Sequence, residues 1–343
     1  DLGSRLAQVV TTASDAVNNA QELYQIITGQ SYFDFNETNS ELANHLDALR
    51  TQVSLTQASI DKLEINSNFS GINQLNTLKN KLPDLHQQIE LGLNLSKILP
   101  KVINQPEPKT YLVLIQNNSE LRPTGGFIAA YSLLTFKDGR LIDVETKDVY
   151  SADAQLNGQV NPPEPIKTNL GESNWYLRDS NWSPHFPSSA QQAEWFLNKE
   201  LNRQVDGVIG LNLFVLRQLI QATGPLEITG QAHPITADNL FEIVEYGSQI
   251  DLSDSSPQKN EILVPITEAL ISKLREGQVK LNLLTKALNQ SLDQAQLIAY
   301  HNLPEIQTLL ESYNWSGTIK NPSCPPRFNQ QNCTNQTFSL IES

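Results

Sequence analysis

Residues 110–136, TYLVLIQNNSELRPTGGFIAAYSLLTF, decide the fold that the sequence predicts. They contain two apolar runs, "YLVLIQ" and "FIAAYSLLTF", with the length and composition of buried β-strands. The polar octapeptide ELRPTGGF, residues 120–127, separates the two runs. A buried strand followed by such a loop and a second buried strand predicts a sheet at the centre of a domain.

The octapeptide has two interpretations. Gly125 and Gly126 could form a turn, because glycine reaches backbone angles that other residues avoid. They could also belong to an anion site, in which bare backbone N–H groups approach the ligand and Arg122 supplies a planar cationic fork beside Glu120. Both interpretations stay open on these residues.

Upstream of the predicted strands, apolar residues recur at steps of three and four, which predicts helices with one apolar stripe each. Such stripes must be buried against one another, so residues 1–104 predict an all-α helical bundle or coiled-coil module. We interpret it as a spacer, or as a surface for a protein partner or for self-association. The first stripe comprises Leu2, Leu6, Val9, Ala13, Val17, Ala20, Leu23 and Ile27.

Downstream of the proline-containing linker at residues 104–110, predicted strands and helices share one domain, residues 105–343. "KDGR" predicts a hairpin turn before a third strand, "RLIDVETKDV". "DGVIGL" and "LEIT" also predict strands, whereas residues 278–301 predict continued helix. This pattern predicts an α/β sandwich with a mixed sheet flanked by helices, and we expect it to be truncated at its C-terminal end.

The charge of the chain limits its partners. Over 343 residues the formal net charge is −13 and the pI is about 4.8. Nucleic acid and anionic membrane surfaces favour basic proteins, so we predict neither as the main partner. The chain lacks methionine and opens inside a helical pattern. We therefore expect this chain to be a piece of a longer protein.

Two cysteines, Cys324 and Cys333, lie in a polar loop near the end of the chain. Their spacing, without neighbouring histidines, does not indicate a zinc site. A disulfide closing a short loop suits them and indicates an oxidising, extracytoplasmic setting. A pair of free thiols in a cytosolic chain is the alternative.

A second stretch with candidate site residues is "WYLRDSNWSPHFP", which contains Arg178, Asp179 and Asn181. Motifs of hydrolases, zinc proteases and nucleotide-binding loops are absent. What remains is a cationic set, Arg122, Arg178 and Lys259, with a carboxylate that could hold a divalent metal. Such a set is typical of pyrophosphate or phosphoryl chemistry. A structural Arg–Asp contact in a surface loop is the alternative.

Three segments, "QNNSELRPTGGF", "LRDSNWSPHFPSSAQQAEWF" and "VDGVIGLNLFVLRQLIQATGPLEI", closely resemble a bacterial domain-of-unknown-function family, number 4012. The resemblance covers roughly residues 108–343. That family is in turn distantly similar to the LytR-CpsA-Psr envelope enzymes, which transfer glycans from a polyprenyl-pyrophosphate carrier to a wall acceptor. The resemblance implies a membrane-anchored, extracytoplasmic protein of the cell envelope that uses Mg²⁺ and arginines around a pyrophosphate.

Carried over position by position, the resemblance implies that Arg122, Arg178 and Asp179 are catalytic and that Asp179 binds the metal. It further implies ligand contacts from residues of both loops and from one predicted helix start: Glu120, Gly125, Gly126, Asn181 and Lys259. Two positions depart from the pattern. Thr124 stands where the transferases carry a metal-binding aspartate, and His185 where the family usually carries aspartate.

Three functions follow as hypotheses. The first is a glycan phosphotransferase of the cell envelope. The second is a non-catalytic module that binds an isoprenoid phosphate or a glycan while the N-terminal helices hold partners. The third is a structural subunit of the cell surface. An apolar tunnel beside Arg122 and Arg178 would favour the first two.

Overall fold

A computed structural model describes residues 2–62, 72–231, 233–249 and 262–319. The chain divides into two compact units. The first comprises residues 1–109, 136–142 and 274–289, and the second comprises residues 110–135, 143–273 and 290–343. The predicted division into residues 1–104 and 105–343 stays a prediction.

Three long helices form most of the first unit: α1 (Leu2–Ile27), α2 (Phe35–Asp61) and α3 (Ile72–Val102). Leu2 and Val9, early in α1, pack in one cluster with Val53 and Ile60, late in α2, so these helices run antiparallel. Leu82 of α3 belongs to the same cluster. Most of each apolar stripe thus packs against a neighbouring helix, as the periodicity predicts, although Val17 of the first stripe is 57% exposed.

Helix α3 runs through Pro83, where the sequence predicts a kink or a restart. A proline removes one hydrogen bond from a helix interior. Leu82 and Ile89 on either side of it are buried in the helical core, and this packing holds the helix together.

The sheet has five strands in the order β3-β2-β1-β4-β5. They are β1 (Lys109–Asn117), β2 (Phe127–Lys137), β3 (Arg140–Asp148), β4 (Gly207–Asn212) and β5 (Leu297–His301). β1 and β4 pair in parallel and β4 and β5 pair antiparallel, so the sheet is mixed. β1 is buried from Tyr111 to Asn117, as a central strand covered on both faces must be.

Asp138 and Gly139 form the two-residue turn between β2 and β3, both with positive φ, 48° and 76°. Paired positive φ angles are what a tight hairpin of this twist requires. The hairpin predicted at "KDGR" is therefore confirmed.

Helices flank the sheet and complete the predicted architecture, which is confirmed. In the described part of the chain, no helix is both long and apolar enough to cross a membrane. A 3₁₀ helix spans Leu177–Trp182. The α-helices after β3 are α4 (Val149–Asp153), α5 (Glu164–Leu170), α6 (Phe186–Leu201), α7 (Leu213–Thr223), α8 (Leu240–Gln249), α9 (Leu263–Arg275), α10 (Leu281–Asp293) and α11 (Pro304–Ser312).

Two local predictions are wrong. The end of the segment predicted as continued helix, residues 278–301, is strand β5, which pairs with β4. "LEIT" forms no strand but a single bridge between Leu226 and Ile235. Helix α6 begins at Phe186 and is capped by His185, whose Nδ1 accepts from the Ser188 N–H at 3.3 Å.

Candidate functional site

A crevice opens where β1 and β4 end. These strands are parallel neighbours, and the chain leaves β1 toward β2 on one side and β4 toward β5 on the other. Open α/β sheets bind ligands at such a switch point, outside the carboxyl ends of the strands. Residues 118–126 follow β1 there, and α7 follows β4.

The cavity at this point has a volume of about 360 Å³. Its polar wall carries the amides of Asn118, Asn212, Gln294 and Gln296. Among the residues that the structure describes, Arg122 is the one charged side chain on the wall. The apolar wall is formed by Leu121, Pro123, Pro184, Phe186, Phe214, Ala295 and Ile298.

The loop between β1 and β2 needs both of its glycines for its shape. Gly125 and Gly126 have φ of 125° and 129°, a region that side chains strain to enter. A Cβ on Gly126 would lie 2.3 Å from the Asn117 carbonyl oxygen, whereas one on Gly125 would lie 3.0 Å from Gln116 Oε1. Both glycines also line the cavity. The same two glycines therefore form both the turn and part of the cavity wall.

Asn181 ties the 3₁₀ helix to this loop. Its side chain is fully buried, and its Nδ2 donates to Thr124 Oγ1 at 3.0 Å and to the Gly126 carbonyl at 2.8 Å. Thr124 Oγ1 in turn donates to Gln116 Oε1 at 3.4 Å. Asn181 thus fixes the loop without lining the described cavity, and its predicted ligand contact stays a prediction.

Arg122 joins the loop to Asp179. Its Nε and Nη2 donate to Asp179 Oδ1 at 3.2 and 3.0 Å, and its Nη1 donates to the Leu121 carbonyl at 2.8 Å. The guanidinium also lies 5.4 Å from the centre of the Phe127 ring. Asp179 is 2% exposed, so the pair is screened little by solvent.

Arg178 reaches the other oxygen of the same carboxylate. Its Nε lies 3.4 Å from Asp179 Oδ2, its Nη1 2.9 Å from Asp153 Oδ2 and its Nη2 3.1 Å from Glu172 Oε2. It also stacks on the Tyr176 ring at 4.2 Å. The two predicted arginines therefore meet at Asp179, but Arg178 is not part of the cavity wall.

Buried carboxyl groups surround Arg178. Burial raises the pKa of Asp153 to about 6, against the opposing hydrogen bond and charge of Arg178. Burial, with a smaller contribution from the Asp153 charge, raises the pKa of Glu200 to about 8. Within the described part of the structure, Asp153 Oδ1 and Glu200 Oε2 are buried without a hydrogen-bond partner.

The residues present do not fit a Mg²⁺ ion at Asp179. Both of its oxygens are engaged by arginines. Across residues 2–62, 72–231, 233–249 and 262–319, no group of three or more His, Cys, Asp and Glu side chains could hold a metal. Mg²⁺ therefore stays a prediction from the resemblance, and no step is derived through it.

The remaining predicted residues are not on the described cavity wall. Glu120 is half-buried, and its charge contributes to raising the pKa of Tyr150. Lys259 and the predicted disulfide partners Cys324 and Cys333 lie outside the described residues. Their roles stay predictions.

Sequence reasoning missed the part of the wall that follows β4 and precedes β5. Asn212 ends β4 and caps α7 by accepting the Phe214 N–H at 3.1 Å, which places both residues at the crevice. An asparagine between an apolar run and a helical pattern is a capping signal that could have located it. Gln296 was not identified as a site residue, because the segment that contains it and β5 was interpreted as helix.

An open α/β sheet with a cavity at its switch point defines the class, an α/β protein with a crevice outside the carboxyl ends of its parallel strands. The family model described as "Protein of unknown function (DUF4012)" matches residues 106–248. This match contains β1 to β4 and α7, and it confirms the resemblance that the sequence motifs indicate. No match was found among curated proteins.

Solved structures of low identity are also similar. They include protein gbs0355 from Streptococcus agalactiae, with 15% identity over 64% of this chain and 76% of that chain and a TM-score of 0.38. TagV of Bacillus subtilis has 10% identity over 66% of this chain and 90% of that one, with a TM-score of 0.34. A transcriptional regulator, yvhJ, from Bacillus subtilis has 9% identity, covers 67% and 88% of the two chains and has a TM-score of 0.32.

Proposed function

We propose that the cavity beside Arg122 binds a phosphate-bearing lipid, a polyprenyl phosphate or a polyprenyl-linked glycan, in the cell envelope. The observation that carries the proposal is the composition of the wall: one guanidinium and several amides on one side, and apolar side chains on the other. A phosphate group fits the polar side, and an isoprenoid chain fits the apolar side.

Two features favour an anion at the polar side. Arginine has five N–H donors, and three of those of Arg122 are used by Asp179 and Leu121. The remaining two can donate to a phosphate oxygen. The N-terminus of α7 lies at the same cavity through Asn212 and Phe214, and the helix dipole there favours negative charge.

Exposed apolar groups at the cavity favour a lipid over a soluble phosphate. Leu121 is 51% exposed and Phe214 is 40% exposed, although both are large and apolar. Phe214 is held by packing against Phe241, with ring centres 5.1 Å apart. Covering such groups with an isoprenoid chain would gain roughly 25 cal/mol for each Å² removed from water.

The non-catalytic form of this function has one specific observation in its favour. The described wall holds no carboxylate, histidine, lysine, cysteine or tyrosine that could take or give a proton. Thr124 offers a hydroxyl, but that hydroxyl is hydrogen-bonded within the loop. Transfer of the bound glycan to a wall acceptor is the catalytic extension, in which Arg178 and Asp179 would position Arg122.

The cellular setting is proposed from the resemblance. It supports an extracytoplasmic protein that is anchored in the membrane by a segment before residue 1. The antiparallel helices of the first unit would then serve self-association or a protein partner. A purely structural module of the cell surface is the alternative function.

The test measures binding of farnesyl phosphate by isothermal titration calorimetry. Arg122→Ala should weaken binding by about 1.5–3 kcal/mol, the range for a hydrogen bond to a charged group. Arg122→Lys should restore only part of this loss, because lysine lacks the planar fork. The matched control is Arg203→Ala, at an arginine that is 61% exposed and remote from the cavity wall.

The melting temperature of each variant must be measured in parallel, because Arg122→Ala leaves the buried Asp179 with one arginine fewer. Folded Arg122 variants that bind farnesyl phosphate like the unchanged protein would contradict the proposal. Native mass spectrometry of the purified protein gives a second test, since a co-purified polyprenyl phosphate is expected.

A further inference from the structure

The described cavity wall carries little positive charge, although a phosphate-bearing ligand is strongly negative. Arg122 is the one charged side chain on its described wall, and Arg122 already shares its charge with Asp179 at 3.0 Å. An ion pair with a buried carboxylate reduces the field that reaches the cavity. The anion site is therefore weakly cationic.

Arg178 does not add positive charge to the cavity. Arg178 contacts three carboxylates, Asp153, Glu172 and Asp179, at distances of 2.9 to 3.4 Å. Releasing it toward the cavity would leave Asp153, which is 6% exposed, buried beside fewer positive charges. The two arginines are thus outnumbered by the carboxylates that they contact.

The donors that remain match one phosphoryl group. With Nε occupied, and one hydrogen each of Nη1 and Nη2 occupied, Arg122 retains one N–H on each terminal nitrogen. Two adjacent N–H groups can bind two oxygens of the same phosphoryl group in the bidentate manner typical of arginine. Within the described wall, a second phosphoryl group would find amides and apolar side chains, but no second cation.

We propose that this cavity selects ligands with a single phosphoryl group on an apolar chain, and discriminates against pyrophosphate. The inference rests on the proposed function and narrows its ligand. A pyrophosphate adds negative charge without adding a cationic contact, while the nearby carboxylates repel it. The chain therefore binds the lipid carrier in its monophosphate form or as a phosphodiester.

The test compares farnesyl phosphate with farnesyl diphosphate, which share the same apolar chain, by calorimetry in the presence of EDTA. We expect the monophosphate to bind at least about threefold tighter than the diphosphate. A smaller preference for the monophosphate, equal binding or tighter binding of the diphosphate overturns the inference. If only the diphosphate binds, the inference fails and the proposed function stands; if neither binds, both fail.

A variant that adds one positive charge to the cavity wall provides a second test. Gln294 is exposed on the cavity wall, so Gln294→Lys adds a second cation there without disturbing the core. It should shift the ratio of the two dissociation constants toward the diphosphate by about fivefold to tenfold, the effect of one added charge near a protein surface. Gln231→Lys, at an exposed position outside the wall, is the control. A ratio that Gln294→Lys leaves unchanged would overturn the inference.

Discussion

The buried carboxyl of Glu200 should make the protein less stable as the pH rises, and Glu200→Gln should remove this effect. Glu200 lies in α6 and is 7% exposed. Its Oε1 accepts the Leu177 N–H at 3.2 Å, and its Oε2 is buried without a partner in the described structure. An ionised carboxylate here has lost its hydration without gaining hydrogen bonds to both of its oxygens.

The magnitude follows from the pKa. Burial, together with the Asp153 charge, raises the pKa of Glu200 from 4.5 to about 8, although the Leu177 N–H and Arg178 act to lower it. Between these two values the folded protein holds a proton that the unfolded chain has lost. Stability therefore falls with rising pH across this window, by about 1.4 kcal/mol for each pH unit. The loss totals about 4–5 kcal/mol above pH 8.

Glu200→Gln cannot ionise, and its amide oxygen can still accept the Leu177 N–H. Its amide nitrogen can donate to Asp153, whose Oδ1 is buried and unpartnered among the described residues. The variant should match the unchanged protein within about 1 kcal/mol at pH 5. It should exceed the stability of the unchanged protein by about 3 kcal/mol at pH 7 and by about 4–5 kcal/mol at pH 9.

Urea denaturation over this pH range measures the difference. Glu227→Gln, which makes the same substitution at an exposed position, is the matched control. Because Asp153 faces Glu200 and has a pKa of about 6, part of the effect should fade below pH 6. A stability difference between Glu200→Gln and the unchanged protein that does not vary with pH would refute the reasoning.

Two further predictions concern the loop and the end of the chain. Gly126→Ala should destabilise the protein by at least about 2 kcal/mol in the same assay, because it adds a clash to an unfavourable φ. Gly158→Ala is the control: φ there is also positive, 87°, but no atom lies within 4 Å of the new Cβ, so the loss of stability should be smaller. Equal losses would show that the Asn117 carbonyl moves aside for the new methyl group. Thiol labelling of the denatured, unreduced protein should find almost no free thiol at Cys324 and Cys333, and two labelled thiols would reject the disulfide, which should contribute about 2–3 kcal/mol.

The strands around the octapeptide were the most predictable part of the fold. β1 and β2 are apolar runs of strand length, and the turn at Asp138 and Gly139 needs residues that tolerate positive φ. Local chemistry decides such features, so the sequence displays them. The helical stripes of α1 and α2 are equally local, since each follows from spacing within one element.

Strand β5 was not predictable in the same way. Its five residues follow α10 after the short segment 294–296, and a short apolar run cannot be assigned to helix or strand by periodicity. Pairing with β4 decides the outcome, and that partner lies about ninety residues earlier in the chain. The strand predicted at "LEIT" does not form, because in the described structure it pairs only through a single bridge from Leu226 to Ile235.

The candidate site was predictable in its residue types more than in its arrangement. The sequence indicates that Arg122, Arg178 and Asp179 belong together, and they meet in the structure. It does not indicate that Asp153 and Glu172 hold Arg178 away from the cavity, because neither lies in the motifs. Ion pairs between distant segments depend on tertiary packing, which no local pattern encodes.

The division of the chain into two units has a consequence for synthesis. The first unit takes residues 274–289 as well as α1, α2 and α3, so the ribosome must pass residue 289 before that unit is complete. Until then the phenol of Tyr24 in α1 lacks its acceptor, the Leu274 carbonyl. Domains generally form in the order of synthesis. Here α1, α2 and α3 stay incompletely covered until residues 274–289, far later in the chain, have been made.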